Sequence, residues 1–357
     1  MRKVLLLTAA LCLVLAGSAW SFHDQGVAHC NGCHTMHNSQ DNAPVDGDNP
    51  AGNDYLLVDE TPSDVCLGCH AVNLGAVFAT DPLNPAPQKG AGNFIFLLED
   101  NLNDGHAGGD PANWIPGDAA GHNVVAPGHG LAADLTNTSA PGGSFSSSWL
   151  GCSSCHDPHG NANFRMLYGV GQVQDGLANF TNPAPQASGL SIFFGSEGPT
   201  SHTAYASGMS EWCANCHGDF HNTSYPSVLK HPTGVAIGPM IASAYNAYNG
   251  TSDPTGGVQA TAYLPEVPFE DADTLYTTSS TLGPTSSSKV MCLTCHRAHA
   301  SSAPDAGRWD FSVTGLAEDG HESGSYALPN PYDAFQRSLC NKCHVKDAGD
   351  ALVDFTP

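Results

Sequence analysis

Six times this chain of 357 residues repeats the pattern Cys-x-x-Cys-His. The copies are Cys30, Cys33 and His34; Cys66, Cys69 and His70; Cys152, Cys155 and His156; Cys213, Cys216 and His217; Cys292, Cys295 and His296; and Cys340, Cys343 and His344. This pentapeptide is the attachment sequence of a c-type haem. Two thiols add across the porphyrin vinyl groups, and the adjoining imidazole takes one axial position on the iron. Zinc is satisfied by four Cys or mixed Cys and His ligands, and does not require a histidine directly after every second cysteine. Of 13 cysteines only Cys12 stands outside the motifs, so no pool is left for a disulfide framework. The chain is expected to carry six covalently bound haem c groups and to conduct electrons.

Cys12 falls inside a secretion leader. Arg2 and Lys3 supply the positive start, Val4 to Leu15 the apolar stretch, and Ala19-Trp20-Ser21 a small-x-small cleavage site. Residues 1–21 are expected to be removed, leaving 22–357 as a single cytochrome domain in the oxidising compartment where haem attachment takes place. No later apolar run approaches the ~20 residues of a membrane span. The longest, around Phe94 to Leu98, suits core packing against haem.

With Gly 39 and Pro 25, the chain far exceeds the usual combined share of about 12%. Loops such as Thr80–Gly92 and Thr277–Ser288 separate the motifs. Such a composition argues for disorder unless a cofactor supplies the missing apolar interior. The expected fold is therefore mostly irregular coil with short helices at the motifs and few strands, organised around a stacked chain of six haems. The net charge of −23 argues against nucleic acid and anionic lipid surfaces as partners. Arg165, Arg297 and Lys342 lie close enough to motifs to be candidate partners of haem propionates.

Six of the 18 histidines are proximal ligands, and only Met36, Met166, Met209, Met240 and Met291 follow Met1. Histidine on both faces of every iron is thus within reach, and gives a lower potential than His/Met ligation. His37, His159 and His299 each follow a proximal histidine by three residues, and His221 follows His217 by four. On one helical turn such residues lie about 5–6 Å apart on neighbouring parts of the same face. None can pass round its own porphyrin. Each can bind a different haem lying against the same turn, so that Cys-x-x-Cys-His-x-x-His stitches two haems together.

Beyond the motifs, several runs resemble the filament-forming outer-surface hexahaem cytochromes of metal-reducing bacteria. They are Phe22-His23, Gly26-Val27-Ala28, Cys30 to Ser39, Gly121 to Ala126, Cys152 to Gly160, Gly208 to His217 continuing to His221-Asn222, Tyr225-Pro226 and His231-Pro232, then Cys295 to Ser301 and Cys340 to His344. They keep the family's order almost from end to end, while the segments between match poorly. The resemblance implies a head-to-tail homopolymer with one continuous haem stack. It also implies that His37 binds the iron held by Cys292, Cys295 and His296 of a neighbouring chain. The distal candidates it supports are His23, His37, His122, His159, His221, His231 and His299, seven for six positions; His23 or His231 is the first to set aside. The chain departs from the family after the second motif, where Ala71-Val72 stands in place of a nearby histidine. His29, His106, His129, His202 and His321 read as exposed loop residues, with His106 or His129 the reserve ligand for the second haem.

Three functions fit such a chain. The first is an extracellular wire, secreted through the periplasm to the outer surface, that passes electrons to other cytochromes, metal oxides or partner cells. The second is a monomeric shuttle. The third is a multihaem reductase, which needs an iron with an exchangeable position. Every motif ends in His and enough free His exists to close each iron, which speaks against the reductase; together with the family resemblance this makes the wire the expected function, and no enzyme activity is expected.

Overall fold

The structure is a computed structural model that describes residues 30–71, 77–78, 90–98, 119–173, 176–189, 197–221, 231–250, 252–273, 275–309, 311, 332 and 337–344. The leader with its cleavage site and Cys12, the residues His23, His29, His106 and His321, and most of Thr80–Gly92 lie outside the described residues.

Regular structure is sparse, as the composition requires. Among the described residues six helices, α1 Pro62–His70, α2 Cys152–Cys155, α3 Met209–Cys213, α4 Gly238–Ala247, α5 Cys292–Cys295 and α6 Arg337–Cys340, are joined by single 3-10 turns and irregular chain. All but α4 carry haem-motif residues. Their starts are set by local side chains. Thr61 caps α1, accepting from the Asp64 N–H at 3.1 Å, and Pro62 opens the first turn. In α2 and α5 the third residue of the motif does this work: Ser154 Oγ accepts from the Gly151 N–H at 2.9 Å, and Thr294 Oγ1 from the Met291 N–H at 3.1 Å. Helix α3 is entered through Gly208 at φ 85°, a conformation that favours glycine.

Among the described residues the strands pair only as two-stranded antiparallel ribbons: β1 Ser39–Gln40 with β2 Ala43–Pro44, β3 Gly171–Val173 with β4 Ala178–Phe180, and β5 Gln186–Ser188 with β6 Ala204–Ser207. The apolar interior is divided likewise. One cluster gathers Leu67, Phe94 to Phe96, Val124 and Leu131 around α1; a second gathers Tyr245, Tyr263, Phe269, Tyr276, Trp309 and Leu339; a third joins Tyr205, Met209, Met291 and Leu293. The Phe94–Leu98 run is a 3-10 turn in the first cluster. No helix among the described residues is long and apolar enough to cross a membrane.

The first, third and fifth motifs share a backbone clamp. A 3-10 turn, Asp54–Leu56, Phe164–Met166 or Pro304–Ala306, ends on two consecutive residues with positive φ: Tyr55 and Leu56, Arg165 and Met166, Asp305 and Ala306. Each turn folds back on its motif through an isolated antiparallel bridge, His34 to Leu57, His156 to Leu167 and His296 to Gly307. The second cysteine's carbonyl accepts from Val58, Tyr168 or Arg308 at 3.0, 3.0 and 2.7 Å. Left-handed geometry costs an L-residue about 1–2 kcal/mol, so its use at three motifs points to a function for the turn.

Candidate functional site

The clamp holds the proximal imidazoles. In it, Nδ1 of His34, His156 and His296 lies 2.9, 2.8 and 2.9 Å from the carbonyl oxygens of Tyr55, Arg165 and Asp305. His217 Nδ1 meets the Pro141 carbonyl at 2.8 Å, from a turn that can approach because Gly143 has no Cβ: one there would collide with the Cys216 carbonyl. A carbonyl only accepts, so Nδ1 carries the proton and Nε2 keeps the lone pair a metal needs.

Facing rings complete the arrangement. Ring centres of His34 and His159 are 6.4 Å apart, His156 and His299 6.4 Å, His122 and His217 5.9 Å, and His231 and His344 6.1 Å. Two imidazoles bound through nitrogen on opposite faces of one metal, at about 2.0–2.1 Å per bond, have centres roughly 6 Å apart. Each pair joins one motif histidine to one distal candidate, so the residues fit an iron held between two imidazoles. Burial favours the neutral ring: it lowers His122 to about 4 and His299 to about 3, and also lowers His156 and His344, with the neighbouring charges of His217, His156, Arg165 and His231 adding to it in turn. Burial likewise pushes the Cys155, Cys295 and Cys343 thiols up to about 12. Surroundings that resist a thiolate suit a thioether sulfur, which carries no charge.

His122 is positioned from far along the chain. Its Nδ1 meets the Ala298 carbonyl at 2.8 Å and its N–H donates to the His299 carbonyl at 2.9 Å. Gly121 allows that approach, since a Cβ there would lie 2.3 Å from the His299 oxygen. His299 in turn stacks on Phe94, with centres 4.4 Å apart. His70 ends α1. His37 is exposed, and the ring of His296 meets Phe311 at 5.5 Å; among the described residues neither faces a second imidazole. His221 lies against the Cys292 sulfur.

Three expectations are corrected. His202 is not an exposed loop residue: it is fully buried, stacked 3.8 Å from Tyr263, with its ring nitrogens 3.0 and 2.9 Å from the Thr203 and Ser280 carbonyls. His129 is half-buried, with Nδ1 3.3 Å from the fully buried carboxylate of Asp64. Lys342 points inward and not to a propionate: its Nζ donates to the Tyr245 and Tyr248 carbonyls at 2.9 and 3.0 Å, over the Tyr245 ring. The carbonyl turns at Tyr55, Arg165, Asp305 and Pro141 went unforeseen, because the pattern that builds them is conformational.

The Cys-x-x-Cys-His motifs, with imidazoles turned to present Nε2, define a c-type cytochrome with covalently bound haem c. No protein-family model matches the chain. It is 33% identical over 432 aligned residues to the C-type cytochrome OmcS of Geobacter sulfurreducens, across 97% of this chain and 99% of the relative. Two solved structures, of the outer membrane cytochrome S filament and of the OmcS nanowires seen by electron cryomicroscopy, match it with TM-score 0.77 at 31% identity, over 91% of this chain and 100% of theirs. The chain belongs to the family of the C-type cytochrome OmcS.

Proposed function

We propose that this protein is an extracellular electron-transfer cytochrome that polymerises head to tail, passing electrons along six haems to other cytochromes or to external acceptors such as metal oxides and partner cells. The observation that carries this reading is a rule of pairing. His159, following the third motif, faces His34 of the first; His299, following the fifth, faces His156 of the third. His37 holds the same place after the first motif, and its own chain has no motif two steps earlier. A neighbouring chain does: stepping back across the junction leads to the fifth motif, whose His296 meets no second imidazole among the described residues. Polymerisation then completes the ligation of one iron per chain. Different patches meet, a contact that grows open filaments unless its rotation closes.

The even motifs follow a rule of their own. His122, between the second and third motifs, faces His217 of the fourth; His231, between the fourth and fifth, faces His344 of the sixth. The same step gives His70 a partner ahead of the first motif, which His23 supplies. His221, against Cys292, is then the surplus candidate in place of His23 or His231. The six attachment sites use the twelve motif cysteines, and the axial ligands are the six motif histidines with His23, His37, His122, His159, His231 and His299.

Bound there, each haem iron supplies reversible one-electron chemistry, at the lower potential that bis-imidazole ligation sets. The chain's own part is to hold the imidazoles in the Nε2 form, close both axial positions and keep consecutive sites near. Closed irons suit a carrier rather than an enzyme. Residues 1–21 are taken as a cleaved leader and 22–357 as one exported domain, with neither nucleic acid nor a membrane span among its roles.

The test is His37→Ala, examined with the wild type as filaments sheared from cells. Wild-type filaments with six haems per repeat are expected. The variant should keep its full haem content but yield dispersed protomers with one high-spin iron. Wild-type-like filaments from the variant would refute the bridge, and dispersed wild-type protomers would make the protein a shuttle.

A further inference from the structure

The motifs pack in two alternating ways. Within pairs the second cysteine of the odd motif lies beside both cysteines of the even one: Cys33 beside Cys66 and Cys69, Cys155 beside Cys213 and Cys216, Cys295 beside Cys340 and Cys343. Between pairs the first cysteines meet instead, Cys66 against Cys152 and Cys213 against Cys292. The chain is thus three two-motif modules, and first-cysteine contacts occur at the two joints between them.

Both joints carry the same side chain. Ser63 stands three residues before Cys66, and Ser210 three before Cys213. The Cys152 N–H donates to Ser63 Oγ at 3.1 Å, and the Cys292 N–H donates to Ser210 Oγ at 3.1 Å. Ser63 is 1% and Ser210 0% exposed, so neither hydroxyl serves solvent. At the first joint the approach depends on Gly151, where a Cβ would lie 2.7 Å from Ser63 Oγ. A hydroxyl that holds the amide of the next module's first cysteine sits at the residue through which that module's porphyrin would be tethered. The equivalent position before the sixth motif is Arg337.

We propose that Ser63 and Ser210 are positioning residues that latch one two-haem module to the next, and so set the haem spacing at the joints every electron must cross. The proposal rests on the motifs being haem sites, and its test separates the two. Ser63→Ala and Ser210→Ala, singly and together, are made in the full chain and purified as haem-loaded protein. Gly151→Ala is added, because it displaces the first latch while leaving Ser63 in place. Haem count and low-spin absorption should stay at wild-type values. The Soret circular dichroism couplet, which reads the mutual orientation of neighbouring haems, should weaken in every variant. Filament conductance per unit length should fall below the wild-type value, because electron transfer weakens as the gap between haems widens. An unchanged couplet and conductance would overturn the proposal. Fewer haems in the variants than in the wild type would overturn it too, making the serines determinants of attachment. A wild-type count short of six would refute the haem reading itself.

Discussion

A histidine becomes a useful ligand only when its tautomer is fixed and its partner sits opposite. The first condition is met by carbonyls at Nδ1 of His34, His156, His217 and His296. The second is met by residues far apart in sequence. The pairing rule therefore makes an assignment that proximity in sequence does not. His159→Ala should open the iron of His34 and His299→Ala that of His156, each leaving the haem of its own motif closed. Electron paramagnetic resonance should show one high-spin iron in six in either variant, combined with His34 or His156 substitutions to identify which. The motif histidines and the i+3 stitch were legible because they are local patterns. That His122 faces His217, and that His202 and Lys342 lie inside, was not legible, because each depends on chain returning from 76 or more positions away. A second residue-scale test concerns Glu270, whose Oε1 accepts from the Met209 N–H at 2.6 Å while Oε2 is buried without a partner. Burial raises its carboxyl above the ordinary value of 4.5. The native state therefore holds a proton that the unfolded state releases first, and stability falls as pH rises from 4.5 through the raised value. In E270Q that loss is absent. The melting temperature of the variant relative to wild type should climb between pH 4.5 and neutrality, and a flat difference would contradict the assignment.

At the scale of elements, the repeated clamp shows how a coil-rich chain obtains rigid ligands without long helices. Three turns of different sequence, Asp54–Leu56, Phe164–Met166 and Pro304–Ala306, adopt one conformation because each must return a carbonyl to its motif's imidazole. The short motif helices were expected from composition and the Cys spacing. The turns were not, since no shared residue type marks them. Asp305, exposed and at φ 58°, isolates the backbone contribution. A β-branched residue there is strained, so Asp305→Val should cost about 1–2 kcal/mol and loosen the carbonyl at His296. Asp305→Gly removes the same charge but adopts the conformation freely, and should match or exceed wild-type stability. Thermal melts of both variants, with redox titration of the haem at the fifth motif, test this; equal melting temperatures would show that the turn is not constrained.

At the scale of the molecule, the described residues gather their apolar side chains into three separate clusters, and no sheet or bundle among those residues joins them. The chain as a whole is acidic: 34 Asp and Glu against 11 Lys and Arg give −23, with a sequence pI near 4.8, and haem propionates would add to the imbalance. A polymer built from such subunits repels its own kind along its full length, because the charge of each repeat is of one sign. Repulsion of this kind is screened beyond a Debye length of about 8 Å at physiological ionic strength. It is removed altogether as carboxylates take up protons. End-to-end growth through the iron–imidazole bond proposed for His37 does not depend on that balance, whereas side-by-side association does. Filaments should accordingly remain single at pH 7 and low salt, and gather into bundles as pH falls toward or somewhat below 4.8. Light scattering and micrographs across that range would check it. The repeat within each filament should stay unchanged while bundles form, so loss of filaments before any bundling would show that charge, and not the proposed metal bond, governs the long axis.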